Sequence, residues 1–383
     1  MTDLSTICNT ITSWLTAVSP HNPHWDQATW QTFQLACRVH GVAPLLKTKL
    51  ADTDWLDDAQ KNWLAEQYHF NQQRIARMQQ ELQAILVQFD QNNIPLMPLK
   101  GSILQSLIYP DNGVRPMADL DLLIHPDDFE AARQQLLEIG YIQDVVHWKH
   151  TEFIKPDNQK VVSPLHEHPD NPRGLELHLA CRETFGGPLV DLTTLMWDRA
   201  NQGEIEGARA YTPRLEMLWL HLVVHATYHF WQGKGRLIQL VDLTGLTPQV
   251  FDQTEFETTL QLVDARFTYP ALALLNRYFP GVLTEQQWQS QKARVSNSFH
   301  VWATSLDLVN SSHLNPNPSG LYFSKALKFT EGRPIEVIQA LRFAFLPSLE
   351  EIALDHPKLA KSRAPWLAYF LLPLDWAKRL FWK

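Results

Sequence analysis

Cysteine is scarce in this chain of 383 residues, which holds only Cys8, Cys37 and Cys181. A disulfide framework needs a larger, even number of cysteines, and a thiolate zinc site usually contains a CxxC pair. None of these cysteines is spaced in that way, so the sequence predicts neither feature. Unpaired cysteines are typical of a reducing compartment, and we expect a cytoplasmic protein.

Charged residues are also few, at 19% of the chain, and 41 Asp and Glu against 33 Lys and Arg give a net charge of −8. Disordered chains are rich in charge and poor in aromatics, whereas this chain is 45% apolar with 14 Trp, so we expect it to fold. Sequence-independent nucleic-acid binding depends on Lys and Arg that neutralise phosphates. The acidic balance therefore argues against a generic nucleic-acid binder.

Long apolar runs are missing as well. None approaches the roughly 20 residues of a membrane-spanning helix, and WLAYFLL at 366–372 ends at Pro373. The first 15 residues carry Asp3 and no cationic stretch, so we expect no signal peptide. The C-terminal stretch 365–383 mixes aromatic and basic residues. We expect a packed terminal helix there, with weak contact to a membrane or partner as the alternative.

Hydrophobic periodicity divides the chain into three regions. Apolar residues recur every three or four positions over 1–90, which predicts an N-terminal helical region. Residues 91–205 mix short apolar runs, typical of strands, with helical segments. Residues 206–383 are again helical, and 215–231 is apolar nearly all round, which indicates a buried helix. We therefore predict an α+β fold, with a core of mixed sheet and helices flanked by N-terminal and C-terminal helical regions.

Two acids stand two residues apart on a predicted strand at 118–125. Because alternate residues of a strand share a face, Asp119 and Asp121 point to the same side. Two carboxylates held that close repel each other unless a cation is bound between them. Glu176, on a later predicted strand, is a candidate third oxygen ligand. A small set of oxygen ligands with open positions suits Mg²⁺ or Mn²⁺.

Upstream, Lys100, Gly101 and Ser102 lie where a predicted strand turns into a helix. Glycine lets the backbone approach a ligand closely, and a helix N-terminus presents N–H groups and a positive dipole end to an anion. The sequence therefore predicts a phosphate-binding turn.

This order of elements resembles the polymerase-beta-like nucleotidyltransferase superfamily. The stretches PLMPLKGSILQSLIYPDNGVRPMADLDLLI at 95–124 and LELH at 175–178 are similar to the bacterial uncharacterised nucleotidyltransferase family, with weaker similarity at HGVAPLL, RLIQLVDL and FLPSLEE. Two features depart from the pattern. The spacer between Ser102 and Asp119 holds 16 residues, more than in compact members, and Glu176 stands where related sequences often have Asp.

The resemblance implies a polymerase-beta-like core that transfers a nucleoside monophosphate from a nucleoside triphosphate, with ATP the expected donor, and releases pyrophosphate. The acceptor would be a small molecule or a protein side chain. Asp119 and Asp121 would hold the metal on the triphosphate and share a second metal with Glu176. The residues expected to contact the phosphates are Lys100, Gly101, Ser102 and Arg115.

Histidines supply further candidates. His178 shares a strand face with Glu176 and either points into the cleft or is a partly buried hydrogen-bonded residue. Three more recur every four residues on one helix face: His221, His225 and His229. The glutamate of an H-E-x-x-H zinc motif is missing, so we favour buried or cleft histidines, with His225 facing the cleft. Arg236 either contacts the triphosphate or forms a surface salt bridge.

Three hypotheses follow. The leading one is a metal-dependent nucleotidyltransferase. The second is a catalytically silent nucleotide-binding or regulatory protein that retains the site. The third, a histidine-based metallohydrolase, is disfavoured by the missing glutamate.

Overall fold

The computed structural model describes residues 3–345, except positions 18, 110, 148, 164–167 and 316–321, together with Trp366. Apart from Trp366, the C-terminal aromatic stretch lies outside the described residues. The α-helices are α1 (Leu4–Thr16), α2 (Gln27–His40), α3 (Ala43–Lys49), α4 (Asp58–Gln91), α5 (Gly101–Leu107), α6 (Phe129–Glu138), α7 (Thr193–Asp198), α8 (Leu215–Gln232), α9 (Leu237–Val250), α10 (Gln253–Leu260), α11 (Tyr269–Tyr278), α12 (Glu285–Lys292), α13 (Asn297–Ser305), α14 (Tyr322–Thr330) and α15 (Pro334–Phe345). The strands are β1 (Met97–Pro98), β2 (Asp119–Leu123), β3 (Ile142–Val146), β4 (His150–Ile154), β5 (Gly174–His178), β6 (Arg182–Thr184), β7 (Leu189–Asp191), β8 (Ala200–Ile205) and β9 (Ala208–Pro213).

A five-stranded mixed sheet forms the centre of the molecule, in the order β1-β2-β5-β4-β3. Strands β2 and β5 are parallel, whereas the other neighbours are antiparallel. The chain that joins the parallel pair includes α6, as a parallel connection requires a crossover. Strands β6 with β7 and β8 with β9 form separate two-stranded sheets. The mixed α+β architecture agrees with the sequence prediction.

One face of this sheet is apolar because alternate residues of each strand point to it. Leu120, Leu122, Leu175, Leu177 and Phe153 are all buried there. They pack against the apolar stripe of the 34-residue helix α4, whose members recur at spacings of three and four: Ile75, Met78, Leu82, Ile85, Leu86 and Phe89. This packing fixes the register, so the intervening residues must point to the opposite face.

The helices before and after the sheet share a second hydrophobic core. Ile7, Trp14 and Phe33 of α1 and α2 belong to the same buried cluster as residues of α8, α9 and α11. Helix α8 is buried on nearly every side, as its sequence predicts. Leu123, at the end of β2, joins this core from the second face of the sheet. Among the described helices, none combines the length and apolar character needed to cross a bilayer.

Candidate active site

Three carboxylates lie on the second face of the sheet. Asp119 and Asp121 are on β2, and the register of the parallel pair places Asp121 beside Glu176 and Asp119 beside Gly174 on β5. Gly174 has no side chain, so nothing but the carboxylates occupies these positions on the two strands. Asp121 is only 3% exposed, whereas Asp119 and Glu176 are partly buried. The structure therefore brings together the three acids that the sequence singled out.

Lys100 reaches this cluster from the turn between β1 and α5. Its Nζ lies 2.6 Å from Oδ1 of Asp121 and 3.9 Å from Oε2 of Glu176. The preceding residue, Leu99, donates its N–H to the carbonyl of Asp121 over 2.9 Å, and α5 begins at Gly101, so the chain must turn within one residue. Lys100 makes that turn at φ 46° and ψ −128°, a strained conformation for a residue with a side chain.

His178 lies between two of the acids. Its Nε2 is 2.9 Å from Oδ1 of Asp121 and 3.1 Å from Oε2 of Glu176. The side chain of His178 is 4% exposed. His178 is thus a buried hydrogen-bonded histidine that lies within the carboxylate cluster, and its contact with a nucleotide stays a prediction.

The charges of these groups are strongly coupled. Burial raises the pKa of Asp121, but Lys100 and His178 outweigh this effect and hold that pKa well below its usual value. Burial acts in the same way on Glu176, and the hydrogen bond from His178 and the charge of Lys100 lower its pKa. Burial, together with the charges of Asp121 and Glu176, raises the pKa of Asp119 well above its ordinary value. The raised pKa of Asp119 indicates that Lys100 does not fully offset the repulsion among the three carboxylates.

Such a set fits a hard divalent cation. The ligands are carboxylate oxygens, and the pKa of Asp119 is raised as expected where a buried acid faces like charges without sufficient compensation. Mg²⁺ or Mn²⁺ at this position would be held by Asp119, Asp121 and Glu176. The fit depends on the donor chemistry and the uncompensated charge.

The turn after β1 is built for close contact. Ser102 accepts the backbone N–H of Asp121 with its Oγ over 2.9 Å, which ties α5 to β2. At Gly101, an added Cβ would lie 2.7 Å from Nη1 of Arg115 and 2.8 Å from Sδ of Met117. The packing of Arg115 and Met117 therefore favours glycine at this position. Phosphate contacts from Gly101 and Ser102 stay a prediction.

The two predicted arginine contacts lie in well-defined protein environments. Arg115 is buried and forms a two-point ion pair with Asp242, at 2.8 Å from Nε and 2.7 Å from Nη2. Tyr109 donates its hydroxyl to the same carboxylate over 2.6 Å. Arg236 donates from Nε to the carbonyl of Val39 over 3.2 Å, against the N-terminal helices. Direct contact of either arginine with a nucleotide stays a prediction.

Helix α8 packs against β6 and brings His225 to Glu183. Nδ1 of His225 lies 2.9 Å from Oε1 of Glu183, which also pairs with Lys149 at 2.9 Å. Burial, followed by the charges of Lys100 and Lys149, lowers the pKa of His225 well below its usual value. A nucleotide contact from His225 stays a prediction. Within the described part of the chain, no close set of three metal-ligating atoms includes His221, His225 or His229, which gives the metallohydrolase hypothesis no support.

Arg74 was not singled out from the sequence, yet it holds the site in place. It is fully buried in α4 and donates to four carbonyl groups, over 2.7 to 3.0 Å. Two acceptors, Met117 and Ala118, immediately precede β2, and the other two, Asn171 and Pro172, lie two to three residues before β5. The sequence does indicate that Arg74 is buried, because it lies on the face of α4 that the spacing of the apolar residues predicts to be buried.

Three further side chains near the acids also escaped sequence reasoning: His147, His150 and Glu152. His150 and Glu152 lie on β4, directly opposite His178 and Glu176 of β5. The sequence feature that could have identified them is a His and a Glu two residues apart on a predicted strand, as Glu176 and His178 are on theirs.

Comparisons with known proteins now bear on this geometry. A family model described as "Uncharacterised nucleotidyltransferase" matches residues 26–280, more than half of the chain. Among solved structures, the chain is similar to an antigenic nucleotidyltransferase-like protein from Paracoccidioides brasiliensis. The identity is 18% and the TM-score 0.33, over 57% of this chain and 94% of that one. No curated protein matches the chain.

A mixed sheet that carries two acids on one strand and a third on its parallel neighbour has the features expected of a nucleotidyltransferase core. The chain belongs to the uncharacterised nucleotidyltransferase family. The family resemblance and the transferase class expected from the sequence are thereby confirmed.

Proposed function

We propose that this protein transfers a nucleoside monophosphate from a nucleoside triphosphate, with ATP the expected donor, to an acceptor and releases pyrophosphate. The acceptor is a hydroxyl or similar group of a small molecule or a protein side chain. The observation that carries the proposal is the convergence of Asp119, Asp121 and Glu176 on one sheet face, in a chain of a nucleotidyltransferase family. Mg²⁺ or Mn²⁺ is the proposed cofactor, and the cytoplasm the proposed location.

In this reaction the acceptor oxygen attacks the α-phosphorus. The bond between the α-phosphorus and the oxygen that leads to the β-phosphate breaks, and pyrophosphate leaves. Of Asp121 and Glu176, Glu176 is the better placed to take the acceptor's proton, because its side chain is 21% exposed and that of Asp121 only 5%. A divalent cation held by the three acids supplies charge neutralisation for an in-line displacement.

The neighbouring residues prepare the site for this chemistry. Lys100 and His178 keep Asp121 and Glu176 ionised, and so competent to hold a cation, by the contacts described above. Lys100 is also the cation best placed to meet the triphosphate, because its ammonium group already lies at the carboxylates. We expect the backbone at Gly101 and Ser102 to contact the phosphates of the bound triphosphate.

Labelled nucleotides test the proposal. The protein is incubated with each of the four ribonucleoside triphosphates, labelled at the α- or the γ-phosphate, with Mg²⁺ or Mn²⁺ and a small-molecule extract. We expect the α-label to appear on protein or on a small molecule, and the γ-label to appear in pyrophosphate. Transfer of the γ-label, or release of free phosphate alone, would contradict nucleotidyl transfer. Nucleotide binding without turnover would favour the catalytically silent alternative.

A further inference from the structure

A second cluster of ligating side chains lies beside the three acids, on the hairpin of β3 and β4. Nε2 of His147 is 2.8 Å from Oε1 of Glu152, and Nε2 of His150 is 3.7 Å from the same oxygen. All three ligand atoms lie within 4.8 Å of one another. The hairpin sets this geometry, because the N–H of His147 donates to the carbonyl of His150 over 2.8 Å.

His150 gives the independent sign of a ligand. Its side chain is 9% exposed, yet neither ring nitrogen has a hydrogen-bond partner among the described residues. Buried polar groups are nearly always paired, so an unpaired imidazole calls for a missing partner. Its two nitrogens face two carboxylates, with Nε2 3.7 Å from Glu152 and Nδ1 3.7 Å from Glu176. Both distances are too long for a hydrogen bond.

This arrangement is close to that of a metal-bound histidine, with each ring nitrogen of His150 3.7 Å from a carboxylate oxygen. A ligating imidazole binds the ion through one nitrogen and usually gives the other N–H to a carboxylate. Nε2 of His150 faces the shared oxygen of Glu152, and Nδ1 faces Glu176. Bonds of about 2.0–2.2 Å place tetrahedral ligand atoms roughly 3.3 Å apart. The distances from Oε1 of Glu152 to Nε2 of His147, 2.8 Å, and to Nε2 of His150, 3.7 Å, lie on either side of that value.

The donor set selects the class of ion. Two imidazoles and one carboxylate suit Zn²⁺ and similar divalent transition metals, whereas Mg²⁺ prefers oxygen ligands throughout. The side chains of His147 and Glu152 are 16% and 37% exposed, so an ion can enter from solvent.

We propose that His147, His150 and Glu152 form a separate binding site for a divalent transition metal of the Zn²⁺ class, with an open fourth position. This site goes beyond the proposed nucleotidyl transfer and uses none of its three acids as ligands.

Cobalt binding tests the proposal, because Co²⁺ replaces Zn²⁺ and its visible absorption reports the coordination geometry. Titrations use the full chain with Asp119→Asn, which weakens the neighbouring carboxylate site, in excess Mg²⁺. We expect one Co²⁺ per chain with the strong absorption of a four-coordinate site. Adding His147→Ala or Glu152→Gln should weaken that binding at least roughly tenfold. His69→Ala, which removes an exposed histidine of α4, is the matched control and should leave it unchanged.

Two results would overturn this proposal. Co²⁺ binding that is unaffected by both His147→Ala and Glu152→Gln places the ion elsewhere, and loss of all Co²⁺ binding on Asp119→Asn alone means that the carboxylate site is the binding site. Circular dichroism confirms that each variant is folded, and both partly exposed positions tolerate truncation better than buried His150. The measurement is independent of turnover, so it stands or falls separately from nucleotidyl transfer.

Discussion

Asp121 of β2 and Glu176 of β5 occupy the same register position on two parallel strands. His178 touches both, and Lys100 lies within 4 Å of both. A slip of one residue between the strands would turn one of the two carboxylates to the apolar face, so the packing that fixes the sheet also assembles the site. The predictions below follow from this relationship and from the groups that maintain it.

The first prediction concerns Asp119 in the absence and presence of metal. Burial and the charges of Asp121 and Glu176 raise its pKa well above the ordinary value, so Asp119→Asn removes an unfavourable charge. Without metal we expect the variant to melt at the same temperature as the natural protein or higher. Mn²⁺ at 100 times its Kd should stabilise the natural protein by about 2.7 kcal/mol and the variant far less. Equal stabilisation of both proteins by Mn²⁺ would contradict the assignment of Asp119 as a ligand.

The second prediction concerns the carbonyl groups that Arg74 holds. Arg74→Met leaves buried carbonyls before β2 and β5 without a donor, and each unsatisfied group costs about 1–3 kcal/mol. We expect the free energy of unfolding in urea to fall by roughly 3 kcal/mol or more. Arg77→Met, one turn further along α4 at an exposed pair with Asp170, is the control and should change it little. Similar effects for the two variants would show that Arg74 does not brace the strands.

The third prediction concerns the backbone of Lys100. Its φ of 46° suits glycine, and both Lys100→Gly and Lys100→Ala remove the same ion pair with Asp121. The glycine variant should therefore be more stable than the alanine variant, by about 1 kcal/mol. At Lys61, exposed in the regular helix α4, the order should reverse. The measurement is urea unfolding of the glycine and alanine variants at positions 100 and 61. If Lys100→Ala were as stable as Lys100→Gly, the backbone of Lys100 would not be strained.

The fourth prediction concerns the pH dependence that His40 imposes. Burial, with the nearby charge of Arg236, lowers the pKa of His40 to about 3. As pH falls below the unfolded value of about 6.5, the unfolded state takes up a proton that the folded state refuses, so stability falls. This histidine alone should reduce the free energy of unfolding by about 2 kcal/mol between roughly pH 7.5 and pH 5. The free energy of unfolding of His40→Gln should therefore fall by about 2 kcal/mol less over this pH range. Parallel curves of unfolding free energy against pH for the two proteins would contradict this role of His40.

Much of the site could be predicted because its residues are adjacent in sequence or follow a strand period. Asp119 and Asp121 share a face by alternation alone, and helix α8 is predicted by its apolar sequence. The apolar run before Gly101 predicts a strand longer than the two residues of β1. The strand is short because α5 begins at Gly101, soon after it. Periodicity carries no information on where that pairing ends.

Contacts between distant segments could not be predicted in this way. The pair of Arg115 and Asp242 joins residues 127 positions apart, and Arg74 bonds carbonyls more than 40 positions away. Such contacts depend on how helices pack against the sheet, which one sequence does not encode in its local pattern. His150 opposite His178 likewise follows from antiparallel register, which only the folded sheet reveals.

The rate of pyrophosphate release tests the central claim most directly. It is measured with the triphosphate that supports turnover, for the natural protein, for Asp121→Asn and Glu176→Gln, and for Asp127→Asn at an exposed acid just beyond β2. If the acids on β2 and β5 hold the catalytic cation, the first two variants lose at least roughly 100-fold in rate, and Asp127→Asn keeps the natural rate. Release at the natural rate by Asp121→Asn and Glu176→Gln, both folded, would contradict it.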